Sequence, residues 1–226
     1  MRLYRSFLAA AAACVIMPSV SQAQFKRPSI GVLLGTNFAT ISDADRAIAD
    51  VAGENFTKSY RAGLNAGVFV NIPFSEMFSL QPEIHFAQNG VKIKGGASTI
   101  DNIDISLGYV EVPLLLRLDL GHKSSTIRPL FVAGASMSYR VQCKLSANAG
   151  GATLTNNCNA DNGSTDPFKK SDYSAIGGAG FALTTGGRSV SLQIRYTQGL
   201  QDILTTKADN ATPKNSAIGI LLGIGM

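Results

Sequence analysis

The side chains best suited to chemistry in this 226-residue chain recur at alternate positions of otherwise apolar segments. They are Glu83, His85, Glu111, Arg117, Gln193 and Arg195. A carboxylate beside an imidazole could transfer a proton, and carboxylates with guanidinium groups could form ion pairs or bind ions. Only His85 could serve as a general base, and Glu83 lies too close on the same strand face to orient it. The chain also has no G-x-S-x-G or HExxH motif. We therefore predict that the protein is not an enzyme.

The N-terminus, residues 1–23, has the pattern of a secretory signal peptide. Arg2 and Arg5 precede an apolar run, and small residues follow up to Ala23. Cleavage after Ala23 would leave residues 24–226 as one exported domain. Loss of the two arginines lowers the net charge from +5 to +3. The exported chain has no Lys/Arg cluster with interleaved aromatic residues, so nucleic acid is not an expected partner.

Two cysteines remain in the exported domain, Cys143 and Cys158. An exported chain meets an oxidising compartment, so we predict a disulfide between them. The bridge would close a segment of 14 intervening residues and would stabilise the fold by about 3 kcal/mol. His85 and His122 are the only histidines, and neither has ligand spacing to these thiols. We therefore predict no metal site and no cofactor.

The segment around Glu111 shows how such side chains could be positioned. Every second residue from Val110 to Leu120 is apolar, whereas Glu111, Arg117 and Asp119 fall on the opposite face of a strand. In a water-soluble sandwich, the apolar face would form the core. In a transmembrane barrel, the apolar face would meet lipid and the charged face would line the lumen.

Eight segments alternate in this way, and the rest of the chain decides between the two arrangements. Strands are predicted at 29–41, 61–72, 78–94, 103–120, 127–140, 173–183, 190–197 and 217–226. The connections between them are alternately long and short, which is typical of an outer-membrane barrel with external loops and tight periplasmic turns. The expected fold is all-β: an eight-stranded antiparallel up-and-down transmembrane β-barrel in the outer membrane.

Two strands need a further expectation. In the fourth strand, Ile103, Ile105 and Leu107 are out of phase with Val110, so we expect an extra residue, a bulge, near Gly108. In the fifth strand, both faces are partly apolar, and we expect the face that contains Phe131 to point outward.

Five segments also carry a family resemblance. They are 31–38 (GVLLGTNF), 78–84 (FSLQPEI), 109–117 (YVEVPLLLR), 129–134 (PLFVAG) and 191–196 (SLQIRY). Together they resemble the PorT-like outer membrane β-barrel family, which is common in Bacteroidetes and often labelled porin family protein. The resemblance covers nearly the whole exported chain, in order. It implies an outer-membrane barrel, with a part in secretion or gliding machinery for some members, and it supplies no catalytic residue.

The six polar side chains named first would fill the narrow lumen of such a barrel, where charges must be paired. We expect them to form a polar plug, and the protein to have a structural or interaction role in the envelope. Its expected partners are outer-membrane lipid and envelope or secretion-machinery proteins.

Three alternatives remain open at this stage. The protein could be a small porin that passes ions or small solutes through this lumen. The lumen could instead bind a ligand, or His85 could have a proton-linked role. Finally, a soluble periplasmic barrel that binds an apolar ligand would turn Val190, Leu192 and Ile194 inward and leave Arg195 in water.

Overall fold

The computed structural model describes residues 27–43, 57–94, 102–121, 125–149, 152–157, 168–185, 188–205 and 212–226. They form nine strands: β1 (Ser29–Ile41), β2 (Thr57–Pro73), β3 (Phe78–Lys94), β4 (Asn102–Asp119), β5 (Ile127–Ala149), β6 (Ala152–Asn157), β7 (Ser171–Thr185), β8 (Arg188–Gly199) and β9 (Asn215–Gly225). Within these ranges, no helix is long and apolar enough to cross a membrane. The predicted signal peptide, 1–23, lies outside the described residues and stays a prediction.

Eight of the nine strands close into an antiparallel ring. The order around the ring is β1, β2, β3, β4, β5, β7, β8 and β9. The ring closes because β9 pairs with β1, from Gly31 opposite Gly225 to Ile41 opposite Asn215. A closed ring pairs the backbone groups of every strand with a neighbour, which is what allows a sheet to cross a bilayer. The predicted eight-stranded antiparallel barrel is confirmed.

The fifth strand is longer than its sequence pattern predicts. It continues past 140 to Ala149, and its last residues form a hairpin with β6, from Lys144 opposite Asn157 to Ala149 opposite Ala152. All six residues of β6 are exposed. Part of the predicted polar loop 141–171 is therefore β-structure. The signal for this extension was present, because residues 141–149 (VQCKLSANA) alternate between apolar and polar side chains.

The outward face of the ring is apolar and the inward face is largely polar. On β8, Val190, Leu192 and Ile194 are 37%, 54% and 58% exposed, whereas Arg195 is 3% exposed. On β5, Phe131 is also exposed, which confirms the outward face predicted for that strand. An apolar exterior around a polar interior suits lipid. The soluble-barrel alternative requires the opposite orientation of these β8 side chains and is wrong.

The first residues of β4 do not point in the expected direction. Ile105 and Leu107 are buried, in phase with Glu111, and Ile103 packs against the same buried cluster. These three apolar residues therefore need no change of phase, since they point inward. The expectation assumed that apolar side chains always face outward. At this end of the barrel, the three residues join a buried apolar cluster that fills the interior.

A register irregularity does occur at the predicted place, but the extra residue lies on the neighbouring strand. Gly108 pairs with Gln142, and Tyr109 pairs with Arg140. Val141 of β5 is left between the two pairs as the bulged residue. The Val141 side chain is exposed. Beyond the bulge, β5 stays paired with β4, from Gln142 opposite Gly108 to Asn148 opposite Asn102.

Candidate functional site

An ion pair spans the middle of the lumen. Glu83 of β3 and Arg195 of β8 lie on opposite sides of the ring, since three strands separate them in either direction. Arg195 donates from Nη1 to Glu83 Oε2 at 2.7 Å and from Nη2 to Oε1 at 2.8 Å. The pair is bidentate, the arrangement in which a guanidinium and a carboxylate bind most strongly. Both residues are buried.

Two buried amides complete the hydrogen bonding of this pair. The Oε1 atom of Gln193 accepts from Arg195 Nε at 3.0 Å and from Nη2 at 2.9 Å. On the other side, Gln81 Nε2 donates to Glu83 Oε1 at 2.6 Å. Each amide lies two residues from the charge that it contacts, so strand geometry brings both onto the same inward face.

A second ion pair lies nearer the end of the barrel where the short turns are. Arg117 of β4 donates from Nε and Nη2 to the two carboxylate oxygens of Asp119, at 2.9 and 2.8 Å. Its Nη1 donates to Gln81 Oε1 at 3.2 Å. Because Gln81 also contacts Glu83, the two ion pairs belong to one continuous cluster.

His85 and Glu111 form a second cluster, which three asparagines close into a circuit. The Nδ1 atom of His85 donates to Asn65 Oδ1 at 2.7 Å, and Nε2 lies 3.3 Å from Glu111 Oε2. From Asn65 the contacts run to Asn37 at 3.1 Å, on to Asn89 at 3.3 Å, and from Asn89 to Glu111 at 3.3 Å. The residues come from four strands, so the circuit ties β1, β2, β3 and β4 together.

The structure therefore places all six predicted polar residues inside the barrel, in these two clusters. The predicted set of six left out five further members: the four amides Asn37, Asn65, Gln81 and Asn89, and also Asp119, although the sequence pattern had placed Asp119 on the charged face of β4. Each occupies an inward position of the same two-residue period, so the signal was present. Uncharged amides attract little attention in a sequence, although they supply most of the links between the charged groups.

An apolar cap lies beyond the His85 cluster, toward the long loops. It consists of Ile41, Val91, Ile93, Ile105, Leu107, Tyr109, Cys143 and Ile203. Phe168 packs against this cluster, and its backbone bridges to Leu204. Ile203 and Phe168 come from the connecting segments. The long loops therefore contribute side chains that fill the external end of the lumen.

The interior narrows from the opposite end toward this cap. A cavity of about 210 Å³ opens among the short turns, lined by Asn71, Ser79, Arg117 and Arg128 among others. Further in, between His85 and Arg195, the free space falls to about 10 Å³. That is roughly the volume that one water needs. The polar clusters, the cap and two smaller buried apolar clusters, one around Leu115 and one around Leu33, therefore occupy most of the lumen.

Two sequence predictions fall outside what the structure describes. Cys143 is buried in the cap on β5, but Cys158 lies outside the described residues, so the disulfide stays a prediction. His122 also lies outside them. In the part of the chain that is described, no group of three or more His, Cys, Asp or Glu side chains is placed to hold a metal ion.

A closed antiparallel ring, apolar outside and polar inside, defines the class of integral outer-membrane β-barrels. A family model described as outer membrane protein beta-barrel domain matches residues 21–205. This range is most of the chain, and the protein belongs to that family of outer-membrane proteins. Comparison with the curated proteins finds no match.

Solved barrels with low sequence identity are also similar. Neisserial surface protein A is 12% identical, with a TM-score of 0.46 and coverage of 89% of this chain and 99% of its own. OprG from Pseudomonas aeruginosa is 13% identical, with a TM-score of 0.46 and coverage of 92% and 99%. Ail, the attachment invasion locus protein of Yersinia pestis, is 13% identical, with a TM-score of 0.41 and coverage of 89% and 100%. These similarities are too distant to identify a function.

Proposed function

We propose that this protein is a closed outer-membrane barrel with a structural or interaction role in the cell envelope, and that its polar lumen residues act as a plug. The observation that carries the proposal is the bidentate pair between Glu83 and Arg195, which joins opposite walls of the ring. An ion that crossed the lumen would have to displace this contact. The apolar cap would oppose it a second time, because entry into an apolar region strips an ion of its water.

The same geometry supports a role without catalysis. His85 is the one histidine among the described residues, and it is buried in the lumen with Asn65 and Glu111 as neighbours. A lipid-modifying enzyme needs its base at a surface that lipid can reach. His85 instead lies among amides that hold it in place, which suits a structural role.

Conductance in planar bilayers tests the plug. We expect the full-length exported protein, inserted into a phospholipid bilayer, to show no steady channel openings in about 1 M KCl, where screening leaves buried pairs largely intact. The conductance of the unmodified protein is compared with that of the double variant Glu83→Ala/Arg195→Ala, because this variant removes the cross-lumen contact and leaves the cap. Steady openings of the unmodified protein would instead support the small porin.

The resemblance to PorT-like proteins extends the proposal to a place in an envelope or secretion assembly. The β5–β6 hairpin supports a role in interaction, because it stands outside the ring and Leu154 at its exposed face is 72% accessible. Cross-linking from a cysteine introduced at Leu154 in intact cells, in a Cys143→Ser/Cys158→Ser background, would identify a neighbour. Recovery of the barrel without any cross-linked protein would count against this part of the proposal.

The proposal also includes export through the predicted signal peptide. We expect the mature protein to begin at Gln24. N-terminal sequencing of the protein extracted from outer membranes measures this directly, and a chain that still begins at Met1 would contradict it.

A further inference from the structure

Basic side chains line the outer surface of the barrel beyond its apolar belt. We call this group the basic strip; it consists of Arg61, Lys92, Lys94 and Lys144. On β3, Lys92 and Lys94 alternate with the buried Val91 and Ile93, so both lysines point away from the interior. Both lysines therefore lie on the outer face of the barrel wall, which is the face toward the lipid headgroups.

Lys144 reaches the same surface from β5. It lies opposite Ser106 of β4, and Ser106 alternates with the buried Ile105 and Leu107. Paired residues in an antiparallel ladder share a face, so the Lys144 side chain also points outward. The lysines thus span three adjacent strands, from β3 to β5.

One carboxylate accompanies these cations. Asp104 Oδ1 accepts from Arg61 Nε at 2.8 Å, and its Oδ2 lies 3.9 Å from Lys92 Nζ. Arg61 Nη1 is buried and has no hydrogen-bond partner. Among the described outward positions of β3, β4 and β5 beyond the belt, Asp104 is the only acid. The strip therefore keeps an excess of positive charge.

The strip lies directly above the lipid-facing surface. Phe86 pairs with Val110, and Val110 pairs with the exposed Tyr139, which marks the external border of the belt. Ser106, opposite Lys144, is four residues beyond Val110. That separation is about 13 Å along a strand, or roughly 10 Å along the membrane normal at the usual strand tilt.

The separation of roughly 10 Å between the strip and the border of the belt favours one class of lipid over another. The phosphate of a simple phospholipid lies close to the ends of its acyl chains, whereas phosphates carried on a sugar headgroup lie further out. The lysines of the strip span β3 to β5, whereas the other described lysines at this end, Lys58, Lys169, Lys170 and Lys214, lie on β2 and in the segments before β7 and β9.

We propose that the basic strip binds the phosphate groups of lipid A, the phosphorylated glycolipid of the outer leaflet, while the surface around Phe86 and Val110 contacts its acyl chains. Charge complementarity and continuity with the lipid-facing belt identify this occupant. The binding depends on the outer-membrane location and not on whether the lumen is closed.

Retention of lipid A on the detergent-solubilised protein tests the proposal. The exported protein would be refolded in phosphatidylcholine vesicles that contain equal amounts of lipid A and phosphatidylglycerol, and then extracted in mild detergent. Mass spectrometry would measure how much of each lipid stays bound. The test variant is Lys92→Gln/Lys94→Gln/Lys144→Gln. The control is Lys170→Gln/Lys214→Gln, which removes lysines at the same end of the barrel that lie outside the strip. Resistance to detergent before boiling confirms that each variant is folded.

Each lysine close to an anionic surface strengthens binding roughly fivefold, so we expect the triple variant to bind lipid A on the order of 100-fold more weakly. The control should bind like the unmodified protein, and binding should weaken as salt is added. Equal lipid A on the folded triple variant and the unmodified protein would overturn the proposal. Equal retention of phosphatidylglycerol and lipid A, or full competition by the same concentration of inorganic phosphate, would overturn the assignment to lipid A.

Discussion

The cross-lumen pair makes a quantitative prediction about stability. Arg195 donates four hydrogen bonds, two to Glu83 and two to Gln193. In Arg195→Leu, the Glu83 carboxylate would remain buried, and Gln81 would be its one remaining hydrogen-bond donor among these contacts. Removal of one partner from a buried ion pair costs about 3–5 kcal/mol, because the other charge is left uncompensated. We expect Arg195→Leu to lower the free energy of unfolding by that amount.

Urea titration in phospholipid vesicles measures this loss, with the folded fraction followed by circular dichroism and by gel mobility without boiling. Arg188→Leu is the matched control, since Arg188 is an exposed arginine at the start of the same strand. Exposed substitutions away from special contacts usually change stability by about 0.5 kcal/mol or less. The difference between the two variants therefore isolates the contribution of burial and pairing.

A second comparison separates the pair from general packing. The double variant Glu83→Leu/Arg195→Leu removes both charges, so it should be more stable than Arg195→Leu alone. We expect a coupling energy above about 2 kcal/mol in the double-mutant cycle. The reasoning would be refuted if Arg195→Leu lost less than about 1 kcal/mol, or if the two single substitutions were simply additive.

Three further predictions concern packing, close backbone approach and the cysteines. Leu107→Ala in the apolar cap should lower the free energy of unfolding by about 2–5 kcal/mol, since that side chain is fully buried. Leu154→Ala on the exposed hairpin should change the free energy of unfolding little. Equal effects of the two variants in urea titration would contradict this. Gly180→Ala should lower the free energy of unfolding by about 1–3 kcal/mol, because its new Cβ would overlap the backbone carbonyl oxygen of Leu192 on β8. Gly177→Ala has no neighbouring atom within 4 Å and should fold normally, as the heat-modifiable fraction on a gel would show. If the predicted disulfide is present, reduction of the folded protein, or Cys143→Ser, should lower the free energy of unfolding by about 3 kcal/mol. An unchanged urea midpoint after reduction would argue against the disulfide.

Much of the architecture could be predicted from local pattern. The strands at 29–41 and 78–94 match the bounds of β1 and β3. Alternation of side chains along a strand is a local property, so it identifies which residues share a face without any knowledge of neighbours. The excess of apolar residues on one face of β8, together with the loop lengths, then indicated that this face meets lipid.

Local pattern failed where apolar side chains point into the barrel. The inward face of β4 carries Glu111 and Arg117, but also Leu107 and Leu115, and all four are buried. A period of two cannot reveal this mixture, because it shows which residues share a face and not what lies opposite that face. The closed ring brings Leu107 and Leu115 against apolar side chains of other strands, which decides where an inward residue is apolar.

The partners inside the lumen were also beyond the reach of sequence alone. The alternating pattern placed Glu83 and Arg195 on inward faces, but the two residues are separated by 112 positions and by half of the ring. Any of several carboxylates could have met this arginine. The stagger between strands brings Glu83 level with Arg195 and leaves Glu111 beside His85. By itself, the sequence determined which side chains the lumen would contain, and the tertiary structure decided which of them pair, because pairing depends on the register of eight strands closed into one ring.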